Sequence, residues 1–509
     1  MVQRVKTVAA ALLTLATAHL ALPSHSLPAF VHPSVDAAAK TSPTNETLSL
    51  TIQLRLQPAL DIPAHVKSDP QALGLFVKKT VDEHASRTQA SLLEVLRSLG
   101  EEVTFLQSFS VSNTLVVDLT PTALTVIRTH EDILSIHVNG AFKARLPAPA
   151  SHRPSEPHQA NLAQSPAQWN LHQIGADQVW SEGFTGQNLI YAAADTGVRY
   201  THQALLPNYA GLQKNGTVNH NFVWYDGVRR PVNPNVRNLL CPPPMQFPCD
   251  DFGHGTHVMA TAVGKDGFGV ATSAKWIACR NMDGGVGRPE TYLNCLQFFI
   301  APTNLAGQGA DPSRRPAVIG NSYGCANDEM CDPNTFTSAI ATLRAAGIFM
   351  AVASGNDGQQ GCSSVDSPPA TSGQVTVVGA VDRHLAIPSW SSHGQVPGRN
   401  PTNRGVDLVA PGVAINSAWF DTDTDNATIS GTSMAAPHVA GAVLLVASAC
   451  PHLERNVDAI QTLLEQTATP VFPSVTNCGD RLTQVPNSFA GYGQVNVTAA
   501  VAQCLRGGA

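Results

Sequence analysis

Charged residues are scarce in this chain of 509 residues, because they make up 13% of it where soluble proteins average about a quarter. Aromatic residues reach only 6%, and the first cysteine stands at position 241. The formal net charge of −6 lacks the positive excess expected of a protein that binds nucleic acid or an anionic membrane. Glycine and proline are plentiful instead, at 39 and 36 residues. This composition and length are typical of a loop-rich secreted protein with two or more folding units.

The N-terminus has the pattern of an export signal. Arg4 and Lys6 precede an apolar run over residues 8–18, and small and polar residues follow through Ser26. This layout predicts a cleavable signal peptide over residues 1–24, with a short buried strand or an anchor as the alternative. We therefore expect a secreted, extracellular monomer without a transmembrane segment elsewhere.

All ten cysteines lie in the later part of the chain, at positions 241, 249, 279, 295, 325, 331, 362, 450, 478 and 504. An even number in a secreted chain predicts disulfide bonds, although the sequence does not fix their pairing. Cys241 and Cys249 flank a proline-rich loop and are expected to pair with each other. Four Asn-x-Ser/Thr sequences permit glycosylation, at Asn45, Asn215, Asn426 and Asn496.

Residues 45–142 carry the pattern of a small α+β domain. Apolar and polar residues alternate without error over residues 48–56, as in a half-buried strand, and a helical pattern follows. Next come two strand-like runs, a short helix opened by Thr120-Pro121, and a strand over 133–138. The order β-α-β-β-α-β predicts a compact ferredoxin-like unit.

Residues 143–165 are rich in proline and alanine without periodicity, which predicts an exposed linker that is easily cut. Over residues 166–506, apolar strand-like runs alternate with helical patterns. This alternation predicts an α/β domain with a mostly parallel sheet and helices on both faces. Polar residues stand at the carboxyl ends of three of its predicted strands. Asp195 is the last residue of one, and Ser322 and Ser354 directly follow the other two. In parallel sheets, functional groups gather beyond the carboxyl ends of the strands.

Four short motifs contain the candidates for chemistry. Residues 195–197 read Asp-Thr-Gly, 254–257 read His-Gly-Thr-His, 354–356 read Ser-Gly-Asn and 431–437 read Gly-Thr-Ser-Met-Ala-Ala-Pro. Each motif is weak alone. The aspartate and the asparagine fit ordinary turns, and Ser433 fits the N-cap of a buried helix. The histidine pair fits a metal site, but the glutamate of the zinc-helix motif is missing.

Together, the motifs in the order Asp, His, Asn, Ser resemble the subtilisin-like serine peptidases, which are the subtilases or peptidase S8 family. The resemblance covers roughly residues 166–500. Residues 276–283 and the later Asn-Ser-Tyr-Gly at 321–324 are most similar to the bacillopeptidase F-like branch. The unit at 48–140 resembles the inhibitor I9-like propeptide that precedes such enzymes. A subtilisin-like fold behind a propeptide domain is therefore implied.

The resemblance also implies a role for each candidate residue. Ser433 is expected to attack the scissile carbonyl, while His254 accepts its proton and Asp195 holds the imidazole. The side-chain amide of Asn356 and the backbone N–H of Ser433 are expected to bind the oxyanion. The expected function is a secreted serine-type endopeptidase made as an autoprocessed zymogen. Its expected partners are protein and peptide substrates and its own propeptide, as intramolecular inhibitor and chaperone.

Substrate binding is expected beside these residues. By the same resemblance, an extended peptide adds to a strand edge, and a neighbouring pocket takes the residue before the scissile bond. The residues expected there are Ser322, Tyr323, Gly324, Ser354 and Gly355. An ordinary turn at a strand end is the alternative for Ser322. The pocket floor is expected near residues 366–368.

Two departures from the smaller subtilases are visible. Asp195 and His254 are 59 residues apart, and the extra loop holds Cys241 and Cys249. The chain after His257 is shorter than in subtilisins that fold a calcium loop there. We therefore expect no cofactor and no metal ligands, with calcium as an open alternative.

Two other functions fit part of the sequence. A catalytically silent pseudo-peptidase would act as a binding module, but all four chemical positions are filled. A lipase or esterase usually carries a Gly-x-Ser-x-Gly motif in the order Ser, Asp, His, whereas the serine comes last here.

Overall fold

The computed structural model describes residues 28–43, 45–143, 168–232, 238–324, 333–400, 403–475 and 478–507. The predicted signal peptide, nearly all of the predicted linker, and Cys325 and Cys331 lie outside the described residues. Within them, the chain forms a smaller unit around a five-stranded sheet and a larger unit around a seven-stranded sheet.

The smaller unit contains five strands and five helices. They are β1 (Phe30–Val31), α1 (Pro33–Thr41), β2 (Leu48–Leu54), α2 (Ala64–Lys67), α3 (Pro70–Thr88), α4 (Ala90–Ser98), β3 (Val103–Phe109), β4 (Thr114–Leu119), α5 (Pro121–Ile127) and β5 (Ile133–Val138). The sheet order is β1-β5-β2-β4-β3, with only the pair β1 and β5 parallel. The β-α-β-β-α-β order of the prediction is present, with β1 and α1 in front of it and α2 and α3 added.

Polar caps and prolines fix where two helices of the smaller unit begin. Pro70 and Pro121 occupy the first turns of α3 and α5, where the missing N–H has no helical partner to lose. The side chains of Asp69 and Thr120 accept backbone N–H groups of these first turns, at 2.8 and 3.2 Å. The alternating strand predicted over 48–56 ends earlier, at Leu54.

The larger unit contains the remaining elements. They are β6 (Phe142–Lys143), α6 (Trp169–Gln173), α7 (Ala176–Ser181), β7 (Ile190–Asp195), β8 (Trp224–Asp226), α8 (His254–Val263), β9 (Lys275–Arg280), β10 (Val286–Gly287), α9 (Pro289–Ile300), β11 (Val318–Asn321), α10 (Pro333–Ala345), β12 (Phe349–Ala353), β13 (Thr376–Val381), β14 (Leu408–Pro411), β15 (Ile415–Ala418), β16 (Asn426–Ile429), α11 (Thr432–Ala449), α12 (Val457–Thr467) and α13 (Val497–Leu505).

The seven strands of the larger sheet are all parallel, in the order β14-β13-β12-β11-β7-β9-β8. The next strands in the chain, β8 and β9, lie on one side of β7 in the sheet, and the later strands β11 to β14 lie on its other side. The winding therefore reverses between β7 and β11, and a crevice forms beyond the carboxyl ends of strands at such a point. Because β7 ends at Asp195 and β11 at Asn321, the residues after both strands meet there.

Helix α11 lies in the core of the larger unit. Its residues 432–447 are all buried. Among the described residues it is the one helix long and apolar enough to span a membrane, but 94% of that segment is buried inside the protein. It is therefore a core helix. The backbone N–H groups of its first turn, which begins at Thr432, have no acceptor within the helix.

Helix α3 joins the two units. Leu73 and Val77 pack into the core of the larger unit. Beneath α3, the buried guanidinium of Arg315 donates to the carbonyl oxygens of Pro70 and Ala346. Burial lowers the pKa of Arg315 to about 9. A Cβ at Gly74 would lie 2.3 Å from this guanidinium, so a larger residue there would require the Arg315 side chain to move.

Four disulfide bonds lie within the described residues, and all of them belong to the larger unit. The predicted local pair Cys241–Cys249 is formed. The others are Cys279–Cys295, Cys362–Cys478 and Cys450–Cys504. The first two stabilise segments near β8, β9 and α9, and the last two attach the C-terminal part of the chain to the core.

His438 generates a prediction about acid stability. It is buried in α11, with Nδ1 2.7 Å from the carbonyl oxygen of Met434 and Nε2 2.7 Å from Nδ2 of Asn170. Burial lowers its pKa to about 4. Between about pH 6.5 and 4 the unfolded chain binds a proton here that the folded chain does not, so stability falls as the pH falls.

When the pH is lowered from 6.5 to 5, the unfolding free energy of the parent should drop by about 2 kcal/mol more than that of His438→Gln, because the variant has no imidazole to protonate on unfolding. Urea unfolding at both pH values measures this, with disulfides intact and in a Ser433→Ala background that removes the hydroxyl predicted to attack peptide bonds. Equal losses in the two proteins would contradict the assignment of a neutral buried histidine.

Candidate active site

Asp195 and His254 form a buried hydrogen-bonded pair at the crevice. Asp195 is the last residue of β7, and His254 is the first residue of α8. His254 Nδ1 lies 2.8 Å from Asp195 Oδ1, which also accepts the backbone N–H of Thr196 at 2.7 Å. Since the carboxylate can only accept, Nδ1 carries the proton, and Nε2 is left with a lone pair. Nε2 is buried and makes no hydrogen bond.

Glycines allow the two segments to come this close. A Cβ at Gly255 would lie 2.1 Å from the carbonyl oxygen of Gly197, and a Cβ at Gly197 would lie 1.7 Å from that of Cys249. Neither contact is possible for a residue with a side chain. The turn after β7 and the first turn of α8 are therefore packed backbone to backbone.

Ser433 lies in the first turn of α11 and is hydrogen-bonded to Ser322, the residue after β11. Its Oγ donates to the carbonyl oxygen of Ser322 at 3.0 Å, and Ser322 Oγ donates to the carbonyl oxygen of Ser433 at 2.9 Å. The hydroxyl is therefore not hydrogen-bonded to His254 Nε2 in this structure. Active sites without substrate often show such incomplete contacts.

Thr432 orients the side chain of Asn356. Asn356 Oδ1 accepts the backbone N–H of Thr432 at 2.9 Å. Thr432 Oγ1 lies 3.1 Å from both Asn356 Oδ1 and the carbonyl oxygen of Gly355, so these two acceptors share its single proton. The backbone N–H of Gly355 also lies 3.2 Å from Thr432 Oγ1. With its oxygen held in this way, Asn356 has its NH₂ group left as a donor. Thr432 is not among the residues that the sequence predicts, although it stands beside Ser433 in the most specific motif.

The residues predicted to bind substrate line one open cleft of about 470 Å³. The cleft is bounded by residues 322–324 on one side and 354–356 on the other, with Ser433 and Thr432 at its edge. Of the predicted floor residues 366–368, Ser367 lines the cleft. The ring of Tyr323 is buried and stacks on Tyr292 at 4.5 Å, so this residue offers mainly its backbone.

His257, the second histidine of the motif, does not face the cleft. It is fully buried, and its Nε2 lies 3.1 Å from the carbonyl oxygen of Ala427 and 3.2 Å from that of Ile415. Burial lowers its pKa to about 3. His257 therefore packs α8 against the β15–β16 hairpin as a neutral ring, and the two histidines do not form a metal site.

Among the described residues, one cluster contains three possible metal ligands, Cys362, His393 and Cys478. The two sulfur atoms are bonded to each other in a disulfide, so the cluster offers a metal only the imidazole of His393. The expectation that the protein uses no cofactor, with calcium as the alternative, stays a prediction.

The parallel sheet, its switch point, the buried Asp–His pair and the serine at the start of a core helix define a subtilisin-like α/β protein. Residues 186–493 match the family model described as the subtilase family, and the chain belongs to this family.

Several relatives carry protease names. Bacillopeptidase F of Bacillus subtilis (strain 168) is 30% identical over 352 residues, which are 67% of this chain and 22% of that protein. Subtilisin-like protease 3 of Pseudogymnoascus destructans is 38% identical over 193 residues, which are 38% of this chain and 42% of that protein. A cuticle-degrading serine protease of Arthrobotrys oligospora is 34% identical over 192 residues, 38% of this chain and 41% of that protein. The chain thus spans less than half the length of these relatives.

The contact between Thr432 and Asn356 yields a prediction. Thr432→Val keeps the shape of the side chain but removes the hydroxyl that holds Asn356 Oδ1. We expect kcat for a chromogenic peptide amide to fall about tenfold with little change in KM, because one neutral hydrogen bond that orients the donor is lost. Asn356→Ala removes the donor itself and should lower kcat by about 10²–10³.

The matched control is Thr428→Val on the exposed side of β16, which should leave both constants unchanged. A Thr432→Val enzyme with the kcat of its parent would show that Thr432 does not orient Asn356.

Proposed function

We propose that this protein is a secreted serine-type endopeptidase that hydrolyses peptide bonds in proteins. The observation that carries the proposal is the buried Asp195–His254 hydrogen bond at the end of β7. The neighbouring strand β11 leads to Ser322, which is hydrogen-bonded to Ser433 in the cleft that Asn356 also lines. Membership of the subtilase family and relatives with protease names support it. The N-terminal sequence supports secretion.

The geometry suits nucleophilic attack by a serine. Ser433 Oγ bonds to the scissile carbonyl carbon while its proton passes to His254 Nε2, the ring atom that has a free lone pair. Asp195 holds the other ring nitrogen and stabilises the imidazolium that results. The carbonyl π electrons move onto oxygen, which the NH₂ of Asn356 and the backbone N–H of Ser433 stabilise.

The second half of the reaction reverses these proton movements. The tetrahedral intermediate expels the amine, which takes the proton from His254 and leaves an acyl ester on Ser433. Water then attacks the ester with His254 as base, and the acid product leaves.

Ser433 must change its hydrogen bond before it attacks. Its Oγ–H donates to the carbonyl oxygen of Ser322, so the side chain rotates to bring the proton to His254 Nε2. The loss of one neutral hydrogen bond costs about 1 kcal/mol, and the new bond to the imidazole offsets it. This cost is small beside the barrier to peptide hydrolysis.

The smaller unit acts in the proposal as a propeptide that covers the cleft. The chain that leaves the smaller unit forms β6, which pairs antiparallel with β10: Phe142 with Gly287, and Lys143 with Val286. Extended peptides bind an exposed strand edge in this way, by main-chain hydrogen bonds that add a further strand. The chain that continues from Lys143 is the predicted linker, so cutting it would separate the two units.

Charged and polar contacts support this role for the smaller unit. Arg230 of the larger unit binds Asp118 of β4 and Glu290 in the first turn of α9. Its guanidinium also lies 4.0 Å from the centre of the Phe105 ring. Asn139 accepts the backbone N–H of Glu290 at 3.1 Å. The smaller unit therefore supplies partners to the start of α9.

Ser433→Ala tests the function directly. The variant should hydrolyse casein at less than about 10⁻³ of the parental rate, because the attacking oxygen is gone. It should also accumulate as an uncut precursor, since the linker would no longer be processed. A variant that digests casein at near the parental rate would end the proposal. Failure of the parent itself to react with a serine-directed fluorophosphonate would favour the pseudo-peptidase instead.

Arg230→Ala tests the interface between the units in the full-length Ser433→Ala protein. We expect faster hydrogen exchange at the first turn of α9 and along β4, because Arg230 joins Asp118 to Glu290. Arg229→Ala is the control, since Arg229 lies over the ring of Tyr225, and its loss should leave this exchange unchanged. Identical exchange in both variants would show that Arg230 does not hold the units together.

A further inference from the structure

A second buried carboxylate, Asp250, lies between the turn that follows Asp195 and the helix start that carries His254. It is 5% exposed. Five hydrogen bonds end on its two oxygens, and neighbouring groups donate all of them. Oδ1 accepts Thr196 Oγ1–H at 2.9 Å and the backbone N–H groups of Phe252 and Gly253 at 3.0 and 2.8 Å, and Oδ2 accepts the backbone N–H and Oγ1–H of Thr256 at 2.9 and 2.6 Å.

The direction of each proton in this network is fixed. Thr196 Oγ1 accepts the backbone N–H of Gly255 at 2.9 Å, so its own proton points to Asp250. Thr256 Oγ1 accepts the backbone N–H of Arg199 at 2.9 Å, so its proton also points to Asp250. A proton on Asp250 would find no acceptor among these neighbours. Burial raises the pKa of Asp250, but the hydrogen bonds from Thr256 and the backbone oppose that rise, and the donor geometry requires the ionised form.

Both neighbours of Asp250 in the chain are held in place. Cys249 is bonded to Cys241 across the extra loop. Asp251 pairs with Arg280 at 3.1 Å, and Arg280 also donates to the carbonyl oxygen of Cys241 at 2.8 Å. The loop that lengthens the spacing between Asp195 and His254 therefore fixes the position of Asp250 from both sides.

We propose that Asp250 is a positioning residue for the proton transfer: it ties the Asp195 turn to the start of α8 and places a second negative charge at the helix turn that carries His254. This inference rests on the proposed function, because it requires His254 to act as the base. The charge also favours the first turn of α8, where backbone N–H groups have no acceptor within the helix and Thr256 N–H donates to Asp250 instead. In the described part of the chain, the titratable or charged groups around His254 and its partner Asp195 include Asp250, His257, Tyr191, Tyr323 and the Asp251–Arg280 pair.

Asp250→Asn is the main test, made in the full-length enzyme after normal activation. The change keeps the shape, removes the charge, and places an NH₂ group against donors. We expect kcat/KM to fall about 10- to 100-fold, mainly in kcat, because Asp250 does not line the cleft. The acidic limb of the kcat/KM profile should move about one pH unit lower, because without this charge the imidazole loses its proton more easily. Active enzyme is counted by fluorophosphonate titration.

Asp407→Asn controls for a merely structural effect. Asp407 is also a buried carboxylate, paired with Arg399 at 2.6 Å, and it makes no hydrogen bond to the Asp195 or His254 segments. Its loss should lower the stability of the enzyme and leave the acidic limb in place. An Asp250→Asn profile within about 0.2 pH unit of the parent would overturn the proposal, since a charge at this position must shift it.

Thr196 keeps the test decisive if Asp250→Asn does not fold. Thr196→Val removes the hydroxyl that joins Asp250 to Gly255 and should lower kcat at least about fivefold, whereas Thr196→Ser should restore most of that loss. Equal activity of the two variants would overturn the positioning role. Failure of the proposed function would be detected by a different result, namely casein hydrolysis that persists in the Ser433→Ala variant.

Discussion

The close backbone contact between the turn after β7 and the first turn of α8 is the constraint on which the site depends. Gly197 and Gly255 leave no room for a side chain at this contact, and the segment around Cys249 packs over it. Only at this separation can the carboxylate of Asp195 reach the imidazole of His254. A bulkier residue at either glycine would push the two segments apart and leave a buried carboxylate without its donor, which is costly in a protein interior.

The switch point of the sheet brings the remaining groups to the same place. Strands β7 and β11 are parallel neighbours, and the chain continues from β7 to strands on one side of the sheet and from β11 to strands on the other. The residues that follow the two strands therefore face one crevice. The starts of α8 and α11 add backbone N–H groups that have no acceptor within their helices, and these favour negative charge. Thr432 joins Asn356 to the start of α11, and Ser322 joins Ser433 to β11. Asp195, Asn356 and Ser433 are thus each held by a neighbour from another segment.

Much of this arrangement could be predicted from sequence, because local patterns encode it. The alternation in β2, the proline that opens α5, and the apolar strands before Asp195 and Ser322 are readable from short windows. Helix α3 could not be predicted in this way, because its few buried residues pack partly against the other unit. The roles of Thr432 and Asp250 could not be predicted from sequence for a related reason. Their importance comes from hydrogen bonds to distant segments, such as Thr196, 54 residues before Asp250.

The first cysteine of the chain stands at position 241, beyond the whole of the smaller unit, so no disulfide can join the two units. Apart from the polypeptide itself, only noncovalent contacts hold β6 on β10 and α3 on Arg315. While the chain is intact, the two units face each other at a high effective concentration. A single cut between them turns this contact into an encounter of two molecules, and the fraction of the larger unit that stays bound to the smaller one then depends on dilution.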